Sequence, residues 1–307
     1  MKFGLALPFG RIAPPGEFQT ASAVREVAQA VERAGVAGAC LSEHPAPEAD
    51  WLHNDPTGHD TLDPLVALGF VAAHTTDLRV FTNILVLPYR NPFLTAKAAS
   101  TLQVLSDNRL ILGVGIGYQE AEFEALGVPY RRRGALTDEA LETLREIWQG
   151  GAVVKQGLNF NAIGNEPRPV PEITPPVWIG GSSDKALERA ARWGNGWIPY
   201  FSVPTNDPVV MSSSLVSLAH FAEKIARIRE LRERFGQHGP FDIAPGSPFR
   251  PVTTTASDAE RFIEAAKNVE ERGANWIWTP LPASSRAEFI DKVAWFGEEV
   301  ISAYAKA

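Results

Sequence analysis

At 307 residues the chain is long for one compact domain, although (β/α) barrels run past about 250 residues as single units. Hydrophobic residues make up 45% of it, and 36 acidic against 29 basic side chains leave a formal charge of −7, which argues against nucleic acid and anionic membrane as main partners. No apolar run approaches the ~18 residues of a membrane span, the opening MKFGLALPFGRIAPPG lacks a signal-peptide core, and the single Cys40 excludes a disulfide framework or a cysteine-built zinc site.

A soluble cytoplasmic protein is therefore expected. In chain order, KFGLALP (2–8) predicts a first strand, followed by a helix over 20–34. GACLSEH (38–44) predicts a second strand. It runs into a loop that packs His44, His53 and His59 among Glu43, Glu48, Asp50, Asp55, Asp60 and Asp63. Asp63-Pro64 reads as an N-cap with proline at the first helical position, and Leu65, Leu68, Val71 and Ala72 follow at helical spacing. LRVFTNILVLP (78–88) is nearly continuous apolar sequence, as expected of a strand buried on both faces. Asn91-Pro92 repeats the cap-plus-proline start of a helix.

RLILGVGIG (109–117) predicts a fourth strand, with a helix near 137–149. PPVWIGG (176–181) and GWIPY (196–200) flank a helix over 184–193, and another is expected near 214–235. FDIAP (241–245) is a weaker seventh strand, and ANWIWTPL (274–281) an eighth. SDAE (257–260) and SRAE (285–288) both match a capping box and should open the helices around it. Eight strand–helix units imply a parallel sheet with crossover helices, closed into a (β/α)8 TIM barrel; a doubly wound open sheet is the rival. One domain over 1–307 is expected, with 150–175 an insertion made of a hairpin and a proline-rich return.

In such barrels the reactive groups sit at the C-terminal ends of strands. That places Glu43 and His44 at a strand end, with His53 and His59 farther out in the loop, where a solvated surface is the expected setting. The six histidines include no HExxH pair, so no metal site is expected. Two glycine-rich strand ends carry a sharper signal: Gly113, Gly115 and Gly117, and Gly180-Gly181-Ser182-Ser183 before a helix. Glycine admits a ligand to the backbone and a helix start offers N–H groups to a phosphate, although glycine serves tight barrel turns equally well.

Taken together, LVLPYRNPFLTAKAASTLQVLSDNRLILGVGIGYQEAEFEALGV, RRRGALTDEALETLREIW and PPVWIGGSSDKALERAARWGNGW resemble the bacterial-luciferase-like superfamily, most closely the branch that uses coenzyme F420, a deazaflavin. The resemblance implies a (β/α)8 barrel with the cofactor in its C-terminal mouth. It implies that His44 lies close to the cofactor ring, and that Thr82, Asn83 and Ile84 bulge beneath it with a non-prolyl cis peptide at Asn83-Ile84. Gly115, Ile116 and Gly117 would follow the ribityl chain, and Gly180, Gly181, Ser182 and Ser183 the phosphate. PLPASSR (280–286) is the rival phosphate cap. Glu43 stands where deazaflavin enzymes often carry aspartate and FMN enzymes glutamate, so FMN is the alternative cofactor.

Two chemistries follow from the resemblance. Reduced F420 would give a hydride to a small organic substrate, with His44 as proton donor and Glu43 orienting it; reduced FMN would instead activate oxygen in a monooxygenase. A barrel hydrolase or lyase using Glu43 and Asp63 as paired carboxylates, and a non-catalytic flavin-binding protein, are the remoter readings. Segments 197–208 and 243–252 would shape the substrate pocket, and Trp51, Trp197 and Phe201 would line it or pack the barrel rim. Arg131-Arg132-Arg133 is either a solvated charge run or a grip for the acidic F420 tail. The resemblance also implies a homodimer.

Overall fold

The computed structural model describes residues 1–10, 14, 16–54, 61–201 and 214–306. Eight parallel strands lie side by side among them: β1 (Lys2–Ala6), β2 (Gly38–Leu41), β3 (Arg79–Thr82), β4 (Leu110–Gly115), β5 (Val177–Gly180), β6 (Gly196–Ile198), β7 (Asp242–Ile243) and β8 (Trp276–Pro280). β1 sits between β2 and β8, with Gly4 opposite Gly38 and Lys2 opposite Trp276. The ring closes between β7 and β8 through a bridge at Gly246 and Trp278, where the Ser247 amide donates to the Trp278 carbonyl at 2.8 Å. The expected (β/α)8 barrel is what the chain forms.

Its strands read as apolar runs because both faces are covered. Side chains of Cys40, Phe81, Ile111, Trp178, Ile198, Ala244 and Trp276 form one buried cluster drawn from seven strands and their ends, the filling of the barrel itself. The Trp178 ring lies 5.7 Å from that of Phe81 and 5.3 Å from that of Trp276, so the lumen is a packed core and not a channel. A larger cluster lies between strands and helices.

Outside the strands run α1 (Ala21–Arg33), α2 (Pro64–Ala73), α3 (Pro92–Leu105), α4 (Arg133–Trp148), α5 (Asp184–Trp193), α6 (Leu218–Arg234), α7 (Ala256–Glu270) and α8 (Arg286–Trp295). The Asp63 and Asn91 carboxylate and amide oxygens cap α2 and α3 as their sequences predict. Ser285 caps α8 in the same way. The SDAE expectation is corrected: α7 is capped by Thr255, whose hydroxyl accepts from the Asp258 amide at 3.2 Å, and Ser257 lies inside the helix. Asp258 answers by accepting from the Thr253 and Val252 amides. Those amides lie two and three residues before the cap, so Asp258 fastens the incoming loop and does not close a box on Thr255 itself.

Three further boundaries differ from the sequence expectation. The run 78–88 is not one strand: it breaks after Thr82, resumes at Leu85–Val86 against β4, and ends in a 3-10 turn. Short helices at Ala49–Asn54 and Glu120–Ala125 were not expected. The insertion contains an antiparallel pair, Val153–Gln156 with Asn161–Asn165. No described helix is long and apolar enough to cross a membrane.

Candidate active site

A cavity of about 320 Å³ opens at the C-terminal ends of the strands. Its walls come from Ser42–His44 after β2, Asn83 and Ile84 after β3, Gly115–Tyr118 at the end of β4, Gly180 and Gly181 at the end of β5, Ile198 and Tyr200 at the end of β6, and Trp278 on β8. Most of this wall is apolar. The polar groups gather on one side.

At that side His44 Nδ1 lies 3.1 Å from Glu122 Oε2, with the carboxylate buried and the imidazole only partly exposed. The Glu122 carboxylate also accepts from the Tyr89 hydroxyl at 3.0 Å and from the Ala46 amide at 3.2 Å. Gln119 Nε2 lies 3.3 Å from the same histidine nitrogen. With the Nδ1 proton directed at Glu122, the Gln119 amide turns its oxygen toward the ring. The Trp51 ring is 5.0 Å and the Tyr118 ring 5.9 Å from the imidazole.

Glu43 lines the cavity too, yet its carboxylate is turned to another task. It accepts from the Val86 amide at 2.6 Å and from Arg90 Nε at 3.1 Å, and pairs with Arg90 Nη2. Arg90 Nη2 reaches on to Asp63 Oδ2 at 2.9 Å, the oxygen left over from capping α2. Burial pushes the Glu43 carboxyl above the usual carboxylate range, and Arg90 and the Val86 amide oppose that rise. Glu43 is thus tied to the wall and makes no recorded bond to His44. Glu43 and Asp63 share a guanidinium, which leaves neither arranged as the paired acids of a hydrolase.

The peptide at Asn83-Ile84 is cis, at the place the sequence resemblance pointed to. Here the bulge and the glycines interlock. A Cβ on Gly113 would stand 2.0 Å from the Thr82 carbonyl oxygen, and one on Gly115 would stand 2.8 Å from Ile84 Cδ1. The backbone itself therefore forbids a side chain at Gly113, while one at Gly115 would have to move the tip of Ile84. Thr82 is fully buried, donates to the Gly113 carbonyl at 2.6 Å and lies beneath the cavity wall. Asn83, Ile84, Gly115, Ile116 and Gly117 face the cavity, as do Gly180 and Gly181.

Ser182 and Ser183 follow at the start of α5. The Ser183 hydroxyl caps the helix, accepting from the Ala186 amide at 3.3 Å. The Ser182 hydroxyl is buried with no hydrogen-bond partner among the described residues. A second hollow of about 60 Å³ lies alongside, lined by Thr137, Gly181, Ser183 and Arg189. An unpartnered buried hydroxyl at a helix N-terminus is what an oxyanion would satisfy. The indole N–H of Trp278, on the main cavity wall, is likewise buried without a partner.

The remaining expectations divide. Trp51 stands beside His44, whereas Trp197 and Phe201 pack into the core, the second of the two settings expected for them. Trp197 is fully buried, donates to the Gly181 carbonyl at 2.7 Å and stacks on Phe221, against which Phe201 also packs. Residues 202–208 of the predicted pocket segment lie outside the described residues, as does His59. His53 is exposed. Arg131 and Arg132 are exposed, whereas Arg133 folds over the Tyr130 ring at 3.8 Å. Sequence reasoning missed Glu122, Tyr89 and Arg90.

A family model described as luciferase-like monooxygenase matches residues 1–266. An uncharacterized protein of Mycobacterium tuberculosis H37Rv is 33% identical over 186 residues, which are 61% of this chain and 59% of that protein. The F420-dependent hydroxymycolic acid dehydrogenase of the same organism is 30% identical over 175 residues, 56% of this chain and 47% of its own. The chain thus matches less than two thirds of the length of either relative. Among solved structures, the monooxygenase RslO1 from Streptomyces bottropensis superposes with a TM-score of 0.78 at 18% identity, over 99% of this chain and 100% of the other.

Proposed function

The chain belongs to the luciferase-like monooxygenase family, and from that premise we propose that it is an oxidoreductase using reduced coenzyme F420 to reduce a small organic substrate. One arrangement carries this reading: the His44–Glu122–Tyr89 network set into a mainly apolar cavity wall. The F420 dependence printed for a relative 30% identical supports the choice of cofactor.

When bound, the deazaflavin supplies a hydride. Asn83, Ile84 and Trp278 would flank its ring, Gly115, Ile116 and Gly117 its side chain, and Gly180, Gly181, Ser182 and Ser183 its phosphate. The unpartnered Ser182 hydroxyl and the α5 N-terminus fit that last group. Arg131 and Arg132 would meet the acidic tail at the rim.

The protein's own chemistry is the proton. Reduction of a carbonyl needs one at the oxygen, and the His44 ring, held at Nδ1 by Glu122 and reprotonated from solvent after each transfer, delivers it. Tyr89 and the Ala46 amide fix the Glu122 carboxylate, and with it the plane of the imidazole. Glu43 and Arg90 hold the Leu85–Val86 segment, so that the bulge keeps its place in the cavity wall. The apolar remainder of the wall excludes water from the reacting atoms.

The reading is tested by titrating the purified protein with oxidised F420 and, separately, with FMN, followed by calorimetry. F420 should bind at least ~10-fold more tightly. Tighter FMN binding would overturn the reading in favour of an oxygen-using flavin monooxygenase.

A further inference from the structure

Two neighbouring helices of the barrel are almost without charge. None of the ten residues of α2 is charged and only Lys97 among the fourteen of α3, whereas α6 carries eight charged residues in seventeen. Helices this apolar belong inside a protein, yet Val66 is 75% exposed, Leu94 69% and Leu105 74%. The two helices pack side by side, with Gly69 of α2 against the Leu102 side chain of α3. Their solvent-side residues recur at steps of four and three, Val66–Phe70–Ala73 on one and Leu94–Ala98–Thr101–Leu105 on the other, the spacing of a helix-packing seam. The return of the insertion extends this face: the Ile173 carbonyl accepts from Gln103 Nε2 at 2.8 Å, and the Ile173 side chain is exposed.

We infer that a second copy of this chain docks on the α2–α3 face, and that the docking steadies the active-site cavity wall. A twofold contact sets a face against its own image, so a charged face would repel itself. This one brings only Lys97, whose ammonium is turned to the Arg168 carbonyl of the insertion. Elsewhere a chain with a formal charge of −7 meets its copy at greater cost. Two helices and the return beside them form a corrugated plane ~21 Å long and ~25 Å wide, whose accessible area approaches the ~800 Å² per partner of a stable interface. Three hydrogen bonds join this face to the cavity. Asp63 Oδ1 accepts from the Val66 amide at 3.0 Å, its Oδ2 accepts from Arg90 Nη2 at 2.9 Å, and Arg90 Nε donates to Glu43 at 3.1 Å. Glu43 in turn receives the Val86 amide, just past the Asn83-Ile84 bulge, while Asn91, next to Arg90, caps α3. A partner that fixes the first turns of α2 and α3 therefore fixes the segment behind the bulge.

The test is sedimentation of the full chain from ~0.5 to ~50 µM, with amide exchange of the peptide holding Val86 read by mass spectrometry. The wild type should run with the mass of two chains. Val66 and Leu94 are each the third residue of their helix, where glutamate suits the positive helix end, so Val66→Glu with Leu94→Glu keeps the fold and should raise the dissociation constant at least ~100-fold. Val66→Ser with Leu94→Ser, which adds no charge, should raise it at least ~10-fold. Val216→Glu with Val252→Glu, exposed apolar positions before α6 and before α7, should leave the pair intact. In either dissociated face variant the Val86 peptide should exchange at least ~10-fold faster than in the wild type. A wild type with the mass of one chain at ~50 µM, a pair that survives both sets of face substitutions, a pair lost equally to the Val216 and Val252 variant, or Val86 exchange unchanged on dissociation each overturns the inference. No cofactor enters the experiment, so its outcome is independent of the F420 titration.

Discussion

Glu43 and Glu122 are both buried carboxylates on the same cavity wall, and their partners assign them different tasks. Glu122 faces His44 and Tyr89, so its loss should strike turnover. Glu122→Gln is expected to lower kcat about 10²- to 10³-fold in steady-state assays while the melting temperature holds. Glu43 is bonded to Arg90 and the Val86 amide, and Glu43→Gln leaves a guanidinium without its full counter-charge. It should cost about 3 kcal/mol in denaturant unfolding. A variant pair with these effects exchanged would refute the assignment. His44 was legible in the sequence because it ends a strand beside an acid. Glu122 was not, because it lies 78 residues away, on a helix of six residues too short to show periodicity. What joins them is the barrel's curvature, which no local pattern records.

Elements announced themselves where one residue does one job. Asp63, Asn91 and Ser285 each sit just before a helix and cap it, and the apolar run of β4 is buried at every position. Legibility failed where two signals overlapped. Ser257 and Thr255 both precede the α7 periodicity, and the choice between them turns on how the chain turns at Thr253. Thr255→Ala should therefore cost about 1 kcal/mol and lower the thermal midpoint by ~2 °C, with Ser257→Ala nearly silent. Equal effects would restore the sequence expectation. The apolar run 78–88 failed for a similar reason, since hydropathy cannot distinguish a continuous strand from one interrupted by a buried bulge.

At the scale of the whole molecule, acidic side chains serve as clips between elements. Burial alone would raise the Glu32 carboxyl, but the amides of Asp77, Leu78 and Thr76 hold it below its usual value. Hydrogen bonds from Thr253 lower Asp258, and Lys292 with Ser284 brings Glu288 down to about 2. A carboxylate whose folded value is depressed adds stability above its unfolded value near 4, and that contribution is lost as pH falls through the folded value. The raised Glu43 has the opposite sign: its contribution is present below its unfolded value and lost as pH rises through its folded one. Thermal midpoints should thus fall between about pH 5 and pH 2, less steeply in Glu288→Gln, as scanning calorimetry would show. A slope unchanged by that substitution would exclude Glu288 as a contributor.

The interlock of Ile84 with Gly115 and Gly180 reaches beyond any one fold state. Ile84 occupies part of the room that side chains at either glycine would take, with its Cδ1 at Gly115 and its Cγ2 at Gly180, so a change at one of the three positions is felt at the others. Changing either partner first produces a collision or a hollow, which makes the wall slow to acquire and, once present, slow to abandon.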